Sequence, residues 1–149
     1  MNETDRYLTD ENLRVFTMKN YFVDSRHRNA KTHWNWAAFF LTPFWLFYRK
    51  MYLLGFVYLI FTMLVQELIP SSLAVFIINW TVSIFIGLFG NTIYIKHAEK
   101  KITRICETHD DDFARIQEFY EQGGTTLRAS ILIPLGVGMI HAVVVYSFL

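Results

Sequence analysis

The sequence predicts an all-α membrane protein. It reads as three transmembrane helices, an N-terminal aromatic helix that is interfacial or re-entrant, and short amphipathic cytoplasmic helices. Three observations carry this. The 149 residues hold three long apolar runs, at 51–69, 73–95 and 129–149. A fourth run, residues 34–48, packs eight aromatics into fifteen uncharged residues. As a helix it rises only about 22 Å, short of the roughly 30 Å hydrocarbon core of a bilayer. All fourteen Lys and Arg, finally, fall in three places: six in residues 1–33, two at Arg49-Lys50, and six in residues 96–128.

Composition sets the outer bounds. A chain that is 53% hydrophobic and 18% charged has a membrane protein's balance once its apolar residues are clustered. Its length suits one domain, a cytoplasmic segment 1–33 followed by a membrane domain 34–149. Residues 1–33 lack the apolar stretch of a secretory leader, so none is expected. The single Cys106 excludes an intrachain disulfide.

The elements follow in order. Thr9, with Asp10 and Glu11 after it, suits a helix N-cap with acids in the first turn. Leu13, Phe16, Met18, Tyr21, Phe22 and Val23 then give a ragged apolar face, predicting one short amphipathic helix. The stretch from Ser25 to His33 reads as a basic loop able to meet anionic headgroups. In the aromatic run the Thr42-Pro43 step predicts a bend, because a residue before proline is pushed out of α geometry. Residues 51–69 are long enough to cross, with Gln66 and Glu67 near the far end, and Pro70-Ser71-Ser72 makes a turn. Residues 73–95 are twenty-three uncharged residues and the strongest spanning signal. Residues 96–128 extend that helix by about two turns and then hold a second one. Thr108 or His109 would cap it, Gly123 would end it, and Phe113, Ile116, Phe119 and Tyr120 would form its apolar face. The last run, 129–149, contains no Asp, Glu, Lys or Arg.

Charge then orients the chain. If the aromatic run does not cross, all fourteen positive charges lie on one side and the loop at 66–72 opposite has none. If it crosses, they split six to eight. Positive-inside bias favours the first arrangement, with the N-terminus cytoplasmic and the C-terminus outside. Trp34, Trp36, Trp45, Arg49 and Lys50 would then stand at the headgroup level. A re-entrant backbone at that depth must be buried in protein or watered. A receiving face is on offer: Asn79, Ser83, Gly87, Gly90 and Asn91 recur at helical spacing in the second span. Pro134, Gly138 and Ala142 make a matching small-residue row in the third. These rows are expected to face each other or the aromatic run, with Trp36 or Phe40 docking near Gly90-Asn91.

KNYF at residues 19–22, HWNWAAFFLTPFWLFYRKMYLLGF from His33 to Phe56, Phe89-Gly90-Asn91 with Tyr94 and His97, and Gly123-Gly124-Thr125 together resemble a bacterial family of small membrane proteins. The family is catalogued as domain of unknown function 2628. Thr42 stands where members often carry Gly. The resemblance implies a multi-pass protein of the bacterial cytoplasmic (inner) membrane and supplies neither an activity nor catalytic residues.

Chemistry is sparse. The five histidines and Cys106 form no zinc spacing, and the acidic run at residues 110–112 lacks the ligands of a calcium loop, so no metal is expected. No phosphate loop or nucleophile motif appears, and no cofactor or nucleic acid is expected. His141, counted about twelve residues into the last span, falls near the bilayer midplane, where an ionisable group faces the bundle interior. Thr62, Asn79 and Ser83 lie at equal depth as its expected hydrogen-bond partners. The reading that follows is a non-enzymatic interaction or accessory subunit in a lipid bilayer, partnered by another membrane protein or by copies of itself. The alternative is an oligomeric channel or small transporter using His141. A third is a membrane-lipid or stress sensor built on Arg49, Lys50 and the tryptophans.

Overall fold

The computed structural model describes residues 7–27 and 34–147, the side chains of Ser25 and His27 apart. Every regular element among them is helical: α1 (Asp10–Thr17), α2 (Asn20–His27), α3 (Trp36–Phe40), α4 (Thr42–Tyr48), α5 (Tyr52–Leu68), α6 (Ser72–Thr108), α7 (Asp112–Gln122) and α8 (Leu127–Ser147). Most of the expected basic loop, residues 28–33, lies outside the described residues, as do the last two residues of the final run. The chain divides into two compact units, Met1–Trp34 with Leu88–Thr125, and Asn35–Gly87 with Thr126–Leu149.

The first unit is built on the C-terminal half of α6. Thr9 caps α1, its hydroxyl accepting from the Asn12 N–H at 3.2 Å. Leu13, Phe16 and Thr17 form the buried face. The chain then turns through Met18 at φ 55°. One ragged helix was expected, and the raggedness is this break: Leu13 and Phe16 serve α1, while Phe22 serves the separate α2. On α6, Ala98, Ile102, Ile105 and Cys106 repeat at helical spacing and join Leu13, Phe16 and Phe119 in one core. So α6 runs thirteen residues past Ile95, not two turns, because that apolar face gives residues 96–108 something to pack on. Thr108 and His109 do not cap α7. The Thr108 hydroxyl donates to Arg104 O at 2.8 Å and His109 Nδ1 lies 3.3 Å from Ile105 O, so both finish α6. Asp111 is the cap, accepting from the Ala114 N–H at 3.0 Å. Gly123 ends α7 as expected. Of the apolar face drawn for it, Phe119 alone is buried.

In the second unit the aromatic run forms two short helices, α3 and α4, of five and seven residues. The break falls at Leu41 (φ −119°, ψ 38°), one residue before the predicted position. Pro43 falls in the first turn of α4, where its missing N–H breaks no helical bond, so Thr42 can be helical. The Thr42 hydroxyl donates to Ala38 O at 2.6 Å and lies 3.3 Å from Phe39 O, tying α4 to the end of α3. After α4, Lys50 adopts a left-handed conformation (φ 56°). Its N–H bonds Phe47 O and the Met51 N–H bonds Leu46 O, both at 3.0 Å. This is a Schellman turn closed by a lysine instead of glycine. Arg49-Lys50 is therefore a chain reversal as well as a charge pair.

Two helices, α6 and α8, are long and apolar enough to cross a bilayer. α5, with seventeen residues, is apolar and shorter. Leu53, Leu73, Met139 and many other large apolar residues of these helices are exposed. That is the surface expected of helices solvated by lipid tails.

Candidate functional site

Of the receiving face on α6, Ser83 and Gly87 meet the aromatic run. The Asn35 N–H donates to Gly87 O at 2.8 Å. A foreign backbone can approach a helix this closely only where the side chains are small, which is what Gly87 supplies. One turn away Thr42 Oγ1 lies 3.5 Å from Ser83 Oγ, and Phe39 packs its ring edge on Trp80 at 5.2 Å. Asn35 also caps α3 through the Ala38 N–H at 2.9 Å. The sequence reading missed Asn35; its place as a lone amide immediately before WAAFF was the available signal. Of the third-span row, Pro134 is buried, whereas Gly138 and Ala142 are exposed and a Cβ added to Gly138 would meet nothing within 4 Å.

Trp36 and Phe40 are exposed, Trp36 to 63%, and stack on each other at 5.7 Å. Trp45 and Arg49, drawn as surface anchors, are buried, Arg49 to 7% exposure with its guanidinium 5.6 Å from the Tyr48 ring. The cause is the break at Leu41, which turns α4 so that Trp45, Leu46 and Phe47 face inward. Trp34 is half-buried. Burial holds the half-buried Lys50 ammonium below its ordinary pKa.

Asn91 belongs to the first unit. Its side-chain nitrogen donates to the Tyr21 hydroxyl at 3.0 Å, and the Phe22 and Tyr94 rings meet edge-on at 4.7 Å. Thus KNYF and FGN-x-x-Tyr94, about seventy residues apart, are two halves of one packing contact.

His141 is half-buried and pairs with none of its expected partners. The Thr62 hydroxyl donates to Leu59 O of its own helix and the Asn79 amide to Val75 O. Instead Nε2 of His141 lies 3.7 Å from Glu67 Oε1, an ion-pair distance. The register explains this. The Thr126 N–H donates to Tyr48 O at 3.0 Å, so α8 begins level with the turn from which α5 starts. Glu67 stands fifteen residues beyond Tyr52 and His141 fourteen beyond Leu127, or about 22 and 21 Å of rise. Counting from residue 129 placed the histidine too shallow.

His97 is half-buried, and its Nε2 has no hydrogen-bond partner among the described residues. Burial first, then Lys101 and Lys100, hold its pKa below the ordinary 6.5. The unfolded chain therefore takes up this proton before the folded one does. The contribution to stability is complete above 6.5 and is lost as pH falls from there toward the folded pKa. Between about pH 7 and 5 the melting temperature of the first unit is expected to drop, and to drop less in His97→Gln. Equal slopes in a circular-dichroism melt series would refute this.

An open cleft of about 500 Å3 on the first unit is lined by Asp10, Glu11, Arg14, Asn20, Val23 and Asp24, and Asp10 lies 3.8 Å from Arg26. No group of three His, Cys, Asp or Glu placed to hold a metal occurs among the described residues.

A family model described as protein of unknown function (DUF2628) matches residues 9–100, a stretch that includes KNYF, the aromatic run and FGN. Nothing among curated proteins and nothing among solved structures matches the chain.

Proposed function

The chain belongs to the DUF2628 family, and on the geometry of its own residues we propose that it is a multi-pass protein of the bacterial cytoplasmic membrane that acts as a non-enzymatic interaction or accessory subunit. One observation carries the reading. Helix α6 runs 37 residues, about 55 Å, and after its apolar part supplies Ala98, Ile102, Ile105 and Cys106 to the core of the first unit. A chain that only lined a pore would have no need of that unit; a chain that presents a folded surface to a partner does.

The topology follows from cost. α3 and α4 together rise about 18 Å and are followed at once by the Arg49-Lys50 reversal, so they stay on the cytoplasmic face. α5 rises about 26 Å, within the range that crosses with slight thinning. α5, residues 72–95 of α6, and α8 make three crossings, with the N-terminus inside and the C-terminus outside. Cysteine labelling tests it, since Cys106 is buried and stays silent. In intact cells an impermeant maleimide is expected to modify Ser71→Cys and Ser147→Cys. Lys50→Cys and Glu107→Cys should react only after permeabilisation. Modification of position 50 from outside would overturn the map.

A second reading, an oligomeric channel or small transporter, has the Glu67–His141 pair in its favour, since ionisable groups held within spanning segments mark ion and proton paths. Mass measurement after extraction in mild detergent separates the two. A heteromeric complex supports the first. A closed ring of identical chains whose conductance disappears in Glu67→Gln and His141→Ala supports the second and removes the first.

A further inference from the structure

We infer that the exposed face of α7 is a docking surface for a partner protein that offers an apolar groove rimmed with Lys and Arg. The inference rests on the reading of the chain as an interaction subunit and names the surface and the partner's chemistry. Phe113 is 76% exposed, Ile116 47% and Tyr120 56%. They stand at i, i+3 and i+7, the anchor spacing by which an amphipathic helix lies in a groove. Lipid tails account for the exposed apolar residues of α5, α6 and α8, but α7 is an eleven-residue amphipathic helix with Asp, Glu and Arg in it, and does not cross.

Charge chooses the occupant. The rim of this face is acidic: Asp110 and Asp111 stand exposed at its N-terminal end and Glu121 along one edge, while Asp112 is paired with Arg115. The one cation of α7 is turned away from it. Arg115 Nε donates to His109 O at 2.6 Å, its Nη1 lies 2.9 Å from Asp112 Oδ1, and its guanidinium sits 5.9 Å from the Tyr7 ring. Helices that lie on membranes carry Lys and Arg on their polar flanks; here that position is held by carboxylates, which anionic headgroups repel. A second copy presenting the same face would set acid against acid. A basic-rimmed groove satisfies both the apolar anchors and the carboxylates.

The test uses the full chain in living cells, with a photoreactive phenylalanine analogue at position 113 or 120 and, as control, at the exposed Glu107 of α6. A protein adduct is expected at 113 and 120 and not at 107, with the crosslinked peptide of the partner carrying Lys or Arg beside apolar residues. The triple substitution Asp110→Asn, Asp111→Asn, Glu121→Gln keeps a capping side chain at 111 and should lower the yield about tenfold. Adducts with lipid alone, adducts with another copy of the chain, or no adduct would each overturn the proposal. Phe113→Asp with Ile116→Asp, both exposed and outside the core, separates it from the broader reading. If the heteromeric complex survives these changes, the surface is wrong and the subunit reading stands. If the unaltered chain forms no heteromer, the subunit reading fails first.

Discussion

Replacing Gly123 by alanine is expected to destabilise the first unit by about 3 kcal/mol, the upper end of the usual cost of overpacking, and to release α1. Its backbone angles are open to any residue (φ −86°), so conformation is not the obstacle. Space is. A Cβ there would lie 2.5 Å from Phe119 O, 3.0 Å from the Phe16 carbonyl carbon and closer still to Phe16 O, all of them backbone atoms that cannot rotate aside. Phe16 O also accepts the Gly124 N–H at 2.7 Å, the bond that caps the end of α1. Pushing α1 away to admit a methyl group breaks that bond and draws the buried Phe16 from its edge contact with Phe119. Gly124→Ala should cost less: φ +67° is strained for alanine, but the nearest atom is the flexible Met18 Sδ. Gly138→Ala should be neutral or mildly stabilising, since its Cβ meets open space and alanine is the better helix former. Thermal melts and proteolysis at α1 should rank the three in that order. A Gly123→Ala protein melting with Gly138→Ala would show that the α1–α7 contact is not held as described.

What the sequence made legible was local. The Thr9 cap, the Gly123 terminus, the limits of α5 and the start of α8 depend on residues a turn or two apart, and they stand within two residues of where the pattern puts them. Contacts made across the chain were legible only where small residues marked a face, as Ser83 and Gly87 do for the aromatic run. The pairing of Tyr21 with Asn91 joins two elements some seventy residues apart. Nothing in either stretch names the other. The reach of α6 was underestimated: a two-turn extension stops near Ile102, whereas Ile105 and Cys106 continue the face begun by Ala98 and Ile102 and carry the helix to Thr108. Glu67 was noticed only as an acid near a helix end. A two-residue error in where α8 begins was enough to pair His141 with Thr62 on paper, because depth in a bundle is read by counting. The aromatic run was the hardest case. Eight aromatics leave no contrast between its faces, so composition gave no sign that Trp45 is buried and Trp36 exposed.

The aromatic run is seated on α5 through the contact between Phe47 and Gly55, and Gly55→Ala should be a damaging methyl addition. Phe47 is 0% exposed. A Cβ on Gly55 would lie 2.8 Å from its Cζ, 2.9 Å from Cε2 and 3.0 Å from Cε1, the rigid tip of the ring. The ring cannot retreat. Phe56 packs on it edge-on at 5.2 Å and Tyr52 lies 6.2 Å away, while its carbonyl is held by the Lys50 N–H. Helix propensity alone would make this change favourable by up to about 1 kcal/mol, so a measured loss can come only from the contact. We expect a loss of about 1–3 kcal/mol in detergent melts. Phe47→Leu alone should also lose stability, by opening a cavity. Combined with Gly55→Ala it should recover part of the loss, because the methyl group fills the space the ring tip leaves, with a coupling of about 1–3 kcal/mol. Since α4 and the Arg49-Lys50 turn are seated on α5 through this ring, the Gly55→Ala protein should also label faster at Lys50→Cys in permeabilised cells. If Gly55→Ala melts like the unaltered chain and Phe47→Leu adds nothing to it, the ring has room, and the aromatic run rests on α5 without being locked into it.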